Sequence, residues 1–227
     1  MNILLFGASG MVGQGVLREC LLDRDIECVQ IIGRRATGVQ SSKVREVILK
    51  DMSSYQPIEK SLTGFDACFF CLGVSSVGMK EADYERVTRG ITMAAAEALS
   101  RLNPNMTFVY VSGMGTDSSE SGRVMWARIK GRTENALLRL PFKAAYMFRP
   151  GFIQPLHGIT SKTAWYQLIY RGIKPLVPIL LRLFPDQILT TEQMGQAMLA
   201  VAKHGFEKRV LEVKDIRSAA ASYAVAT

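Results

Sequence analysis

The chain has 227 residues, of which 48% are hydrophobic and 21% are charged, and its formal net charge is +8. A chain of this length and composition is typical of an ordinary globular protein that buries a full core. No segment reaches the ~20 apolar residues that a membrane span needs. The basic residues are spread from Arg34 to Arg217 rather than packed in one block, which argues against nucleic-acid binding.

The opening stretch lacks the basic start and the long apolar run of a secretory signal, so we expect a cytoplasmic protein with reduced cysteines. No linker-like composition break divides the chain. We therefore predict one domain over residues 1–227, in which residues 151–208 form segments on the substrate side.

Short hydrophobic runs alternate along the chain with helix-length segments. The expected strands are 2–7, 28–33, 43–49, 67–73, 107–112, 143–148 and, last, 209–213. The expected helices are 11–23, 80–102, 124–139 and a helix that Thr190 or Thr191 caps and Gly205 ends. Strands that are apolar almost throughout indicate a sheet covered on both faces, hence a parallel, doubly wound α/β fold with a small helical region towards the C terminus. The tail after the last strand is expected to be loosely ordered.

The stretch FGASGMVG places three glycines between the first strand and the first helix. Gly7 would allow a tight turn, Gly10 the approach of a pyrophosphate, and Gly13 close packing of the helix on the strand. The free N–H groups and the positive end of the helix dipole would then face the phosphates. The pattern predicts dinucleotide binding, with contacts from Gly7, Ser9, Gly10, Met11, Val12 and Gly13.

The end of the second strand, IIGRRATG, indicates which dinucleotide is bound. An NAD site places an acid about 20 residues past the glycine loop to bind the ribose 2′-hydroxyl. No acid lies between Glu27 and Glu46, and Arg34 and Arg35 offer guanidinium groups that suit a 2′-phosphate. We therefore predict NADP as the cofactor, with NAD less favoured.

Cys68 and Cys71 form a C-x-x-C pattern inside a run that is shaped like a buried strand. Residues three apart in a strand point to opposite faces, whereas a redox pair or a metal site needs converging sulfurs. His157 and His204 are far away in sequence. We interpret the cysteines as structural and predict no metal site.

These features together resemble the short-chain dehydrogenase/reductase superfamily in its atypical branch. The likeness runs through GASGMVG, IIGRR, CFFCLG, VSGMG, IKGRTE and FRPG and covers nearly the whole chain. Within that branch the chain is similar to Tat-interacting oxidoreductase-like proteins and to bacterial proteins labelled nucleoside-diphosphate-sugar epimerases. The resemblance implies a Rossmann fold with a nicotinamide cofactor across the carboxyl ends of the strands.

The resemblance also implies a catalytic serine, tyrosine and lysine. Lys130 matches the lysine, which would bind the nicotinamide ribose, and Trp126 stands where the tyrosine is expected. An indole N–H donates a hydrogen bond but is no acid or base near neutral pH. Ser112 lies in the serine loop, although Gly113 or Met114 could occupy the catalytic place instead.

A tyrosine four residues before a lysine recurs at Tyr170 and Lys174, but Pro175 follows directly and the stretch comes after the sixth strand. We interpret this match as a coincidence. It stays open whether Tyr166 or Tyr170 reaches the cofactor from the substrate side.

The resemblance also implies further contacts with the cofactor, and at each of these positions an ordinary turn between elements is an equal alternative. Leu72 and Gly73, before Ser75 and Ser76, correspond to a loop that contacts the cofactor ribose. Relatives cradle the adenine at the positions of Asp51 and Met52. Residues 149–151 are expected to shape the substrate cleft, and residues 165–184 form a lid, a dimer contact or a membrane-surface element.

Two hypotheses about function stand close together. The first is an NADP-dependent oxidoreductase of unknown substrate, whose proton comes from water held by Ser112 or from Tyr166 or Tyr170. The alternative is a non-catalytic NADP(H)-binding sensor that acts through a protein partner. A nucleic-acid or membrane-surface protein is a distant third. Relatives often pair through the helices near 80–102 and 124–139, which makes a homodimer one hypothesis.

Overall fold

The computed structural model describes residues 1–159 and 188–226. Seven strands form one parallel sheet in the order β3-β2-β1-β4-β5-β6-β9. The strands of this sheet are β1 (Asn2–Phe6), β2 (Cys28–Gly33), β3 (Val44–Ile48), β4 (Ala67–Phe70), β5 (Thr107–Val111), β6 (Ala144–Arg149) and β9 (Val210–Glu212). Two short strands, β7 (Phe152–Gln154) and β8 (Ile188–Thr190), pair with each other beside it.

Helices cover both faces of the sheet, as the apolar strands predict. They are α1 (Met11–Leu22), α2 (Glu81–Glu85), α3 (Ile91–Leu102), α4 (Met125–Leu138), α5 (Thr191–His204) and α6 (Val213–Ala226). A 3-10 helix spans Gln56–Leu62, and a π-helical turn, Arg86–Gly90, joins α2 to α3. Among the described residues, no helix is both long enough and apolar enough to cross a membrane.

Each face of the sheet buries its own hydrophobic cluster. The first cluster packs β1, β4 and β6 against α1, α5 and α6, through residues such as Val16, Met198 and Ile216. The second packs the opposite faces of the strands against α3 and α4, through residues such as Leu99 and Leu137. The predicted doubly wound α/β architecture is therefore confirmed.

The expected strands and helices are found with shifts of a few residues at their ends, and the predicted cap of α5 is observed. Thr190 is its N-cap: the backbone N–H of Gln193 donates to the Thr190 hydroxyl, and the Gln193 side chain accepts from the Thr190 backbone. Gly205 follows the last turn at a φ of 75°. This capping satisfies backbone groups that a helix end otherwise leaves without partners.

The prediction of a loosely ordered tail is wrong. Residues 213–226 form α6, and its apolar side chains at Ile216, Ala219, Ala220 and Tyr223 are buried in the first cluster. Their spacing of three, one and three residues places them on one face of a helix. The Tyr223 hydroxyl also donates to Asp23, 2.9 Å away, which ties the last helix to the end of α1.

The cysteines lie as strand alternation predicts. Cys68 belongs to the second hydrophobic cluster, whereas Cys71 packs against the first, on the other face of the sheet. All four cysteines of the chain are free. Burial raises the pKa of the Cys71 thiol to about 12, so it stays protonated and packs as a small apolar group.

Two glycines allow α1 and α5 to pack closely. A Cβ on Gly15 would lie 2.5 Å from the Thr191 carbonyl oxygen, and one on Gly195 would lie 2.6 Å from the Cγ of Glu19. Real Cβ atoms do not approach other atoms this closely, so each side chain larger than hydrogen would push the helices apart.

We predict that Gly15→Ala lowers the free energy of unfolding by about 1–3 kcal/mol, because the new methyl group overpacks the interface. Gly90→Ala is the matched control, since its Cβ would meet no atom nearer than 4.0 Å. In that variant the higher helix propensity of alanine should leave stability unchanged or raise it by about 0.5–1 kcal/mol. Urea unfolding of both variants measures this, and equal stabilities would contradict the packing described here.

Candidate functional site

The glycine loop between β1 and α1 has the geometry that its sequence predicts. Gly7 has a φ of 79°, and a Cβ there would lie 2.6 Å from the Cys71 carbonyl oxygen at the end of β4. The N–H of Gly10 donates to the Gly7 carbonyl, 2.9 Å away, and a Cβ on Gly13 would lie 2.1 Å from the same oxygen. The loop is therefore a tight turn on which the first turn of α1 rests directly.

The N terminus of α1 opens at this turn. Gly10 is the N-cap, and none of the described side chains caps it. The N-cap therefore provides no side-chain acceptor for the first-turn N–H groups of α1. These N–H groups and the positive end of the helix dipole both favour binding of an anion.

A cleft of about 660 Å³ extends from the glycine loop across the end of β2. Its lining is Gly7, Ala8, Ser9, Ile31, Ile32, Gly33, Arg34, Arg35, Ala36, Thr37, Lys50, Met52 and Leu72. Three of these residues are cations, and none of them is an acid. Arg34 and Arg35 are exposed and form no ion pair with any described residue, so their guanidinium groups are available to a ligand.

Neither of the two acids in this region, Glu46 and Asp51, is part of the cleft lining, although Glu46 is hydrogen-bonded to the lining residue Thr37. The backbone N–H of Thr37 donates to Glu46, 2.9 Å away, and the Thr37 hydroxyl donates to the same carboxylate. Asp51 is exposed and accepts from the N–H and the hydroxyl of Ser53, at 2.9 and 2.6 Å. Those two hydrogen bonds lower the pKa of Asp51.

The structure brings together only part of the predicted cofactor set. Gly7, Ser9, Arg34, Arg35, Met52 and Leu72 line the cleft. Gly10, Met11, Val12, Gly13, Asp51 and Gly73 are not part of its lining, although the first four form the turn and helix start beside it. Lys50 also lines the cleft, and the sequence did not predict this contact. The alternation of side chains along β3 does not indicate which residue after the strand faces the cleft.

The predicted serine lies inside a buried polar network. Ser112 is 5% exposed, and its hydroxyl donates to Glu134 at 2.5 Å. Glu134 is fully buried and also receives the Arg149 guanidinium, with Nε 3.1 Å from Oε1. Arg149 reaches on to Glu212 in β9, 3.2 Å away. The network ties β5, α4, β6 and β9 together, and it occupies the hydroxyl of Ser112.

We predicted that residues 149–151 shape the substrate cleft, and the structure requires a revision of this prediction for Arg149. This side chain is 8% exposed and points into the network rather than into a cleft. Hydrogen bonding to Glu134 raises its pKa further above the ordinary arginine value, so it stays charged. The partners Glu134 and Glu212 lie 15 and 63 residues away along the chain, and no short motif indicates such a pairing.

Lys130 lies on α4, and its side chain reaches the loop that follows β5. Its side chain is largely buried, and its ammonium donates to the Ser112 carbonyl oxygen. A Cβ on Gly113 would lie 3.8 Å from Nζ. Burial lowers the pKa of Lys130 to about 8. Trp126, one helical turn earlier on α4, rests against the loop, with Cη2 3.6 Å from where a Cβ on Gly115 would lie.

The loop between β5 and α4 is held by Asp117 and by the glycine after Lys130. Asp117 accepts from the N–H groups of Ser119 and Gly122 at 3.0 and 2.7 Å. A Cβ on Gly131 would lie 1.7 Å from the Asp117 carbonyl oxygen, so only glycine lets this loop lie on α4. Gly131, the glycine of IKGRTE, is therefore required for close packing beside the site. A local sequence pattern does not indicate this role.

Tyr166, Tyr170, Lys174 and the stretch 165–184 lie outside the described residues, so the predictions about them stay predictions. The same is true of a catalytic role for Ser112 and Lys130.

Comparisons with known proteins agree with this geometry. No family model matches the chain. It is 26% identical over 210 residues to the protein FMP52-1, mitochondrial, of Scheffersomyces stipitis, which covers 92% of this chain and 91% of that one. It is 27% identical over 154 residues to the protein HTATIP2 of Rattus norvegicus, which covers 67% of this chain and 62% of that one.

Solved structures share the fold at low sequence identity. A short-chain dehydrogenase/reductase family oxidoreductase from Burkholderia thailandensis matches with a TM-score of 0.67 and 15% identity, over 96% of this chain and 92% of that one. The Bordetella bronchiseptica enzyme WbmF, solved in complex with NAD⁺, matches with a TM-score of 0.67 and 14% identity, over 99% of this chain and 77% of that one. The chain therefore shares the Rossmann fold of these proteins. The predicted resemblance to atypical short-chain dehydrogenases/reductases is confirmed, whereas the cytoplasmic location stays a prediction, since the yeast relative is named as mitochondrial.

We predict that Glu134→Leu lowers the free energy of unfolding by about 3–5 kcal/mol, because it leaves the Arg149 charge buried without its main partner. Adding Arg149→Met should restore a large part of this loss, since the only charge then left without its partner, Glu212, is half-exposed and solvated. Glu85→Leu is the control: its pair with Arg132 is long, at 3.8 Å, and half-exposed, so it should cost less than about 1 kcal/mol. Urea unfolding gives the three values, and a double variant as unstable as Glu134→Leu would contradict this interpretation.

Proposed function

We propose that this protein binds NADP(H) in the cleft between the glycine loop and the end of β2. The observation that carries the proposal is the lining of that cleft, which contains Arg34, Arg35 and Lys50 but no acid. A pyrophosphate would lie at the free N–H groups of α1, and the adenosine would extend over Met52 and Leu72 towards the arginines. The pyrophosphate and the adenosine part of the dinucleotide thus each have a surface of matching chemistry.

The preference for NADP over NAD follows from the charges at the end of β2. A site for NAD holds a carboxylate there to accept hydrogen bonds from the ribose 2′-hydroxyl. Here Gly33 is followed by two arginines, and the next acid along the chain, Glu46, is bonded to Thr37. Forked guanidinium groups bind a phosphate with two parallel hydrogen bonds, whereas a bare hydroxyl offers them little.

We propose further that the protein is an NADP(H)-dependent oxidoreductase whose acid–base group is not a tyrosine. The nicotinamide supplies or accepts a hydride when it is bound, and the protein needs to orient the substrate and move one proton. Solved proteins of the same fold include oxidoreductases, such as the Burkholderia thailandensis protein. In this proposal Lys130, whose ammonium reaches the loop after β5, binds the nicotinamide ribose.

A second candidate is a non-catalytic NADP(H) sensor that acts through a protein partner. Trp126 at the expected tyrosine position and the buried Ser112 hydroxyl favour it, since neither can act as an acid or base towards a substrate. Tight NADPH binding without turnover of carbonyl compounds would support this candidate over the oxidoreductase.

We predict that the double variant Arg34→Ala/Arg35→Ala weakens NADPH binding by roughly 10- to 100-fold and leaves NADH binding nearly unchanged, because only NADPH loses charge-assisted hydrogen bonds. Fluorescence titration with each nucleotide measures both affinities. Arg24→Ala is the matched control: Arg24 is an equally exposed arginine, but it precedes β2, at the opposite edge of the sheet. An equal loss for NADPH and NADH, or a similar loss in the control, would overturn the cofactor proposal.

A further inference from the structure

The proton source of the proposed reaction is the open question at this site, because the position of the expected tyrosine is held by Trp126. The serine cannot replace it, since the Ser112 hydroxyl donates to Glu134 inside a buried network. Gly113, the next residue of the loop, has no side chain. Lys130 is a titratable group whose ammonium is bound to the backbone of this loop, at the Ser112 carbonyl oxygen.

The surroundings of Lys130 leave its ammonium without a carboxylate partner. Within the described residues, no acid lies at ion-pair distance from Nζ, and its hydrogen bond goes to the Ser112 carbonyl oxygen. Glu134, one turn further along α4, is saturated by Arg149 and the Ser112 hydroxyl. Asp117, in the loop, is bonded to Ser119 and Gly122.

The acids of the neighbouring helix are also engaged elsewhere. Glu81 pairs with Arg128 at 2.7 Å, and Glu85 lies 3.8 Å from Arg132. Lys130 is thus a largely desolvated cation with no ion-pair partner among the described residues, and the charge of nearby Glu134 offsets only part of the effect of burial on its pKa. An ammonium in such a place gives up its proton more readily than one in an ion pair.

The loop next to the ammonium contains two glycines. Gly113, at a φ of 150°, and Gly115, at 82°, present backbone rather than side chains, and Nζ lies 3.8 Å from the Cβ that Gly113 lacks. The part of the loop beside Lys130 is therefore backbone, and no side chain of Gly113 stands next to Nζ.

We propose that Lys130 is itself the catalytic acid–base residue, exchanging a proton directly with the substrate oxygen. This inference rests on the proposed oxidoreductase function. As a substrate carbonyl accepts hydride at carbon, its oxygen takes a proton from the Lys130 ammonium. The products are an alcohol, a neutral Lys130 amine and NADP⁺, and water then returns a proton to the amine. Oxidation of an alcohol uses the same proton transfer in reverse.

The charge state of Lys130 fits this role near neutral pH. Burial lowers its pKa to about 8, so both protonation states are accessible in the physiological range. The protonated form is needed for reduction, so the reduction rate should fall as the pH rises through about 8. The oxidation rate should rise over the same interval.

The first test measures Lys130 without any substrate. Trace acetylation by acetic anhydride at several pH values, followed by peptide mass spectrometry, reports the titration of each lysine in the intact protein, with the exposed Lys60 as internal reference. We expect Lys130 to titrate near pH 8. Titration at the ordinary lysine value of about 10.4, or no reaction at any pH, would overturn the proposal.

The second test separates acid catalysis from mere binding of the ribose. Lys130→Arg keeps the positive charge and its donors but cannot release a proton. NADPH-dependent reduction of 9,10-phenanthrenequinone, benzaldehyde and cyclohexanone should fall about 10²- to 10⁴-fold in this variant, with NADPH affinity nearly unchanged. Wild-type activity should show the fall above pH 8, and the variant should lack it.

The outcomes distinguish this inference from the proposed function. Turnover that persists in Lys130→Arg, with an unchanged pH profile, overturns the role of Lys130 and leaves the oxidoreductase in place. Loss of turnover in Tyr166→Phe or Tyr170→Phe while Lys130→Arg stays active assigns the proton to that tyrosine instead. A wild-type protein that binds NADPH and reduces none of the three probes removes the oxidoreductase itself, and this inference with it.

Discussion

The contact between Gly7 and Gly13 is the constraint on which the site depends. The first helix can rest on the preceding turn only because neither residue has a Cβ, which on Gly13 would lie 2.1 Å from the Gly7 carbonyl oxygen. This contact aims the N terminus of α1 across the end of β1. The parallel pairing of β1 with β2 brings the glycine loop next to the end of β2, where Arg34 and Arg35 begin the cationic side of the cleft. The binding surface for a dinucleotide is thus fixed by backbone packing rather than by polar side chains.

At the carboxyl end of β5, the polar side chains of the site are bonded to each other in the interior. In the enzymes that the chain resembles, a tyrosine and a serine contact the substrate oxygen. Here Trp126 holds the tyrosine position, and the hydroxyl of Ser112 is buried and bonded to Glu134. The pair of Glu134 and Arg149 holds the ends of β5 and β6 together around that serine. Since the Ser112 carbonyl receives the Lys130 ammonium, the same network also fixes where Lys130 points. The proposed chemistry therefore depends on Lys130, whose ammonium is bound to this loop.

Local patterns in the sequence were sufficient to predict the layers of the fold, the glycine turn and the positive charge of the cleft beside it. Apolar runs indicated the strands, the glycine spacing indicated the loop, and the missing acid after β2 indicated the cationic cleft. Contacts between distant segments could not be predicted from local patterns. Glu134 on α4 bonds to Arg149 and Ser112, which belong to other parts of the chain. Lys50 lines the cleft because β3, which precedes it, pairs with β2. The helical tail was misjudged because its alanine-rich face becomes buried only against α5 and the end of α1. Such partners follow from topology, which local periodicity does not encode.

The central claim is that the cleft between the glycine loop and β2 recognises a 2′-phosphate. Calorimetric titration of the protein with two fragments that lack the nicotinamide, adenosine 2′,5′-bisphosphate and adenosine 5′-monophosphate, tests it most directly. The account predicts that the 2′-phosphate improves binding by at least about 10-fold, and that raising the salt concentration reduces this advantage, because exposed arginines supply it. Equal binding of the two fragments, or preference for the monophosphate, would contradict the account.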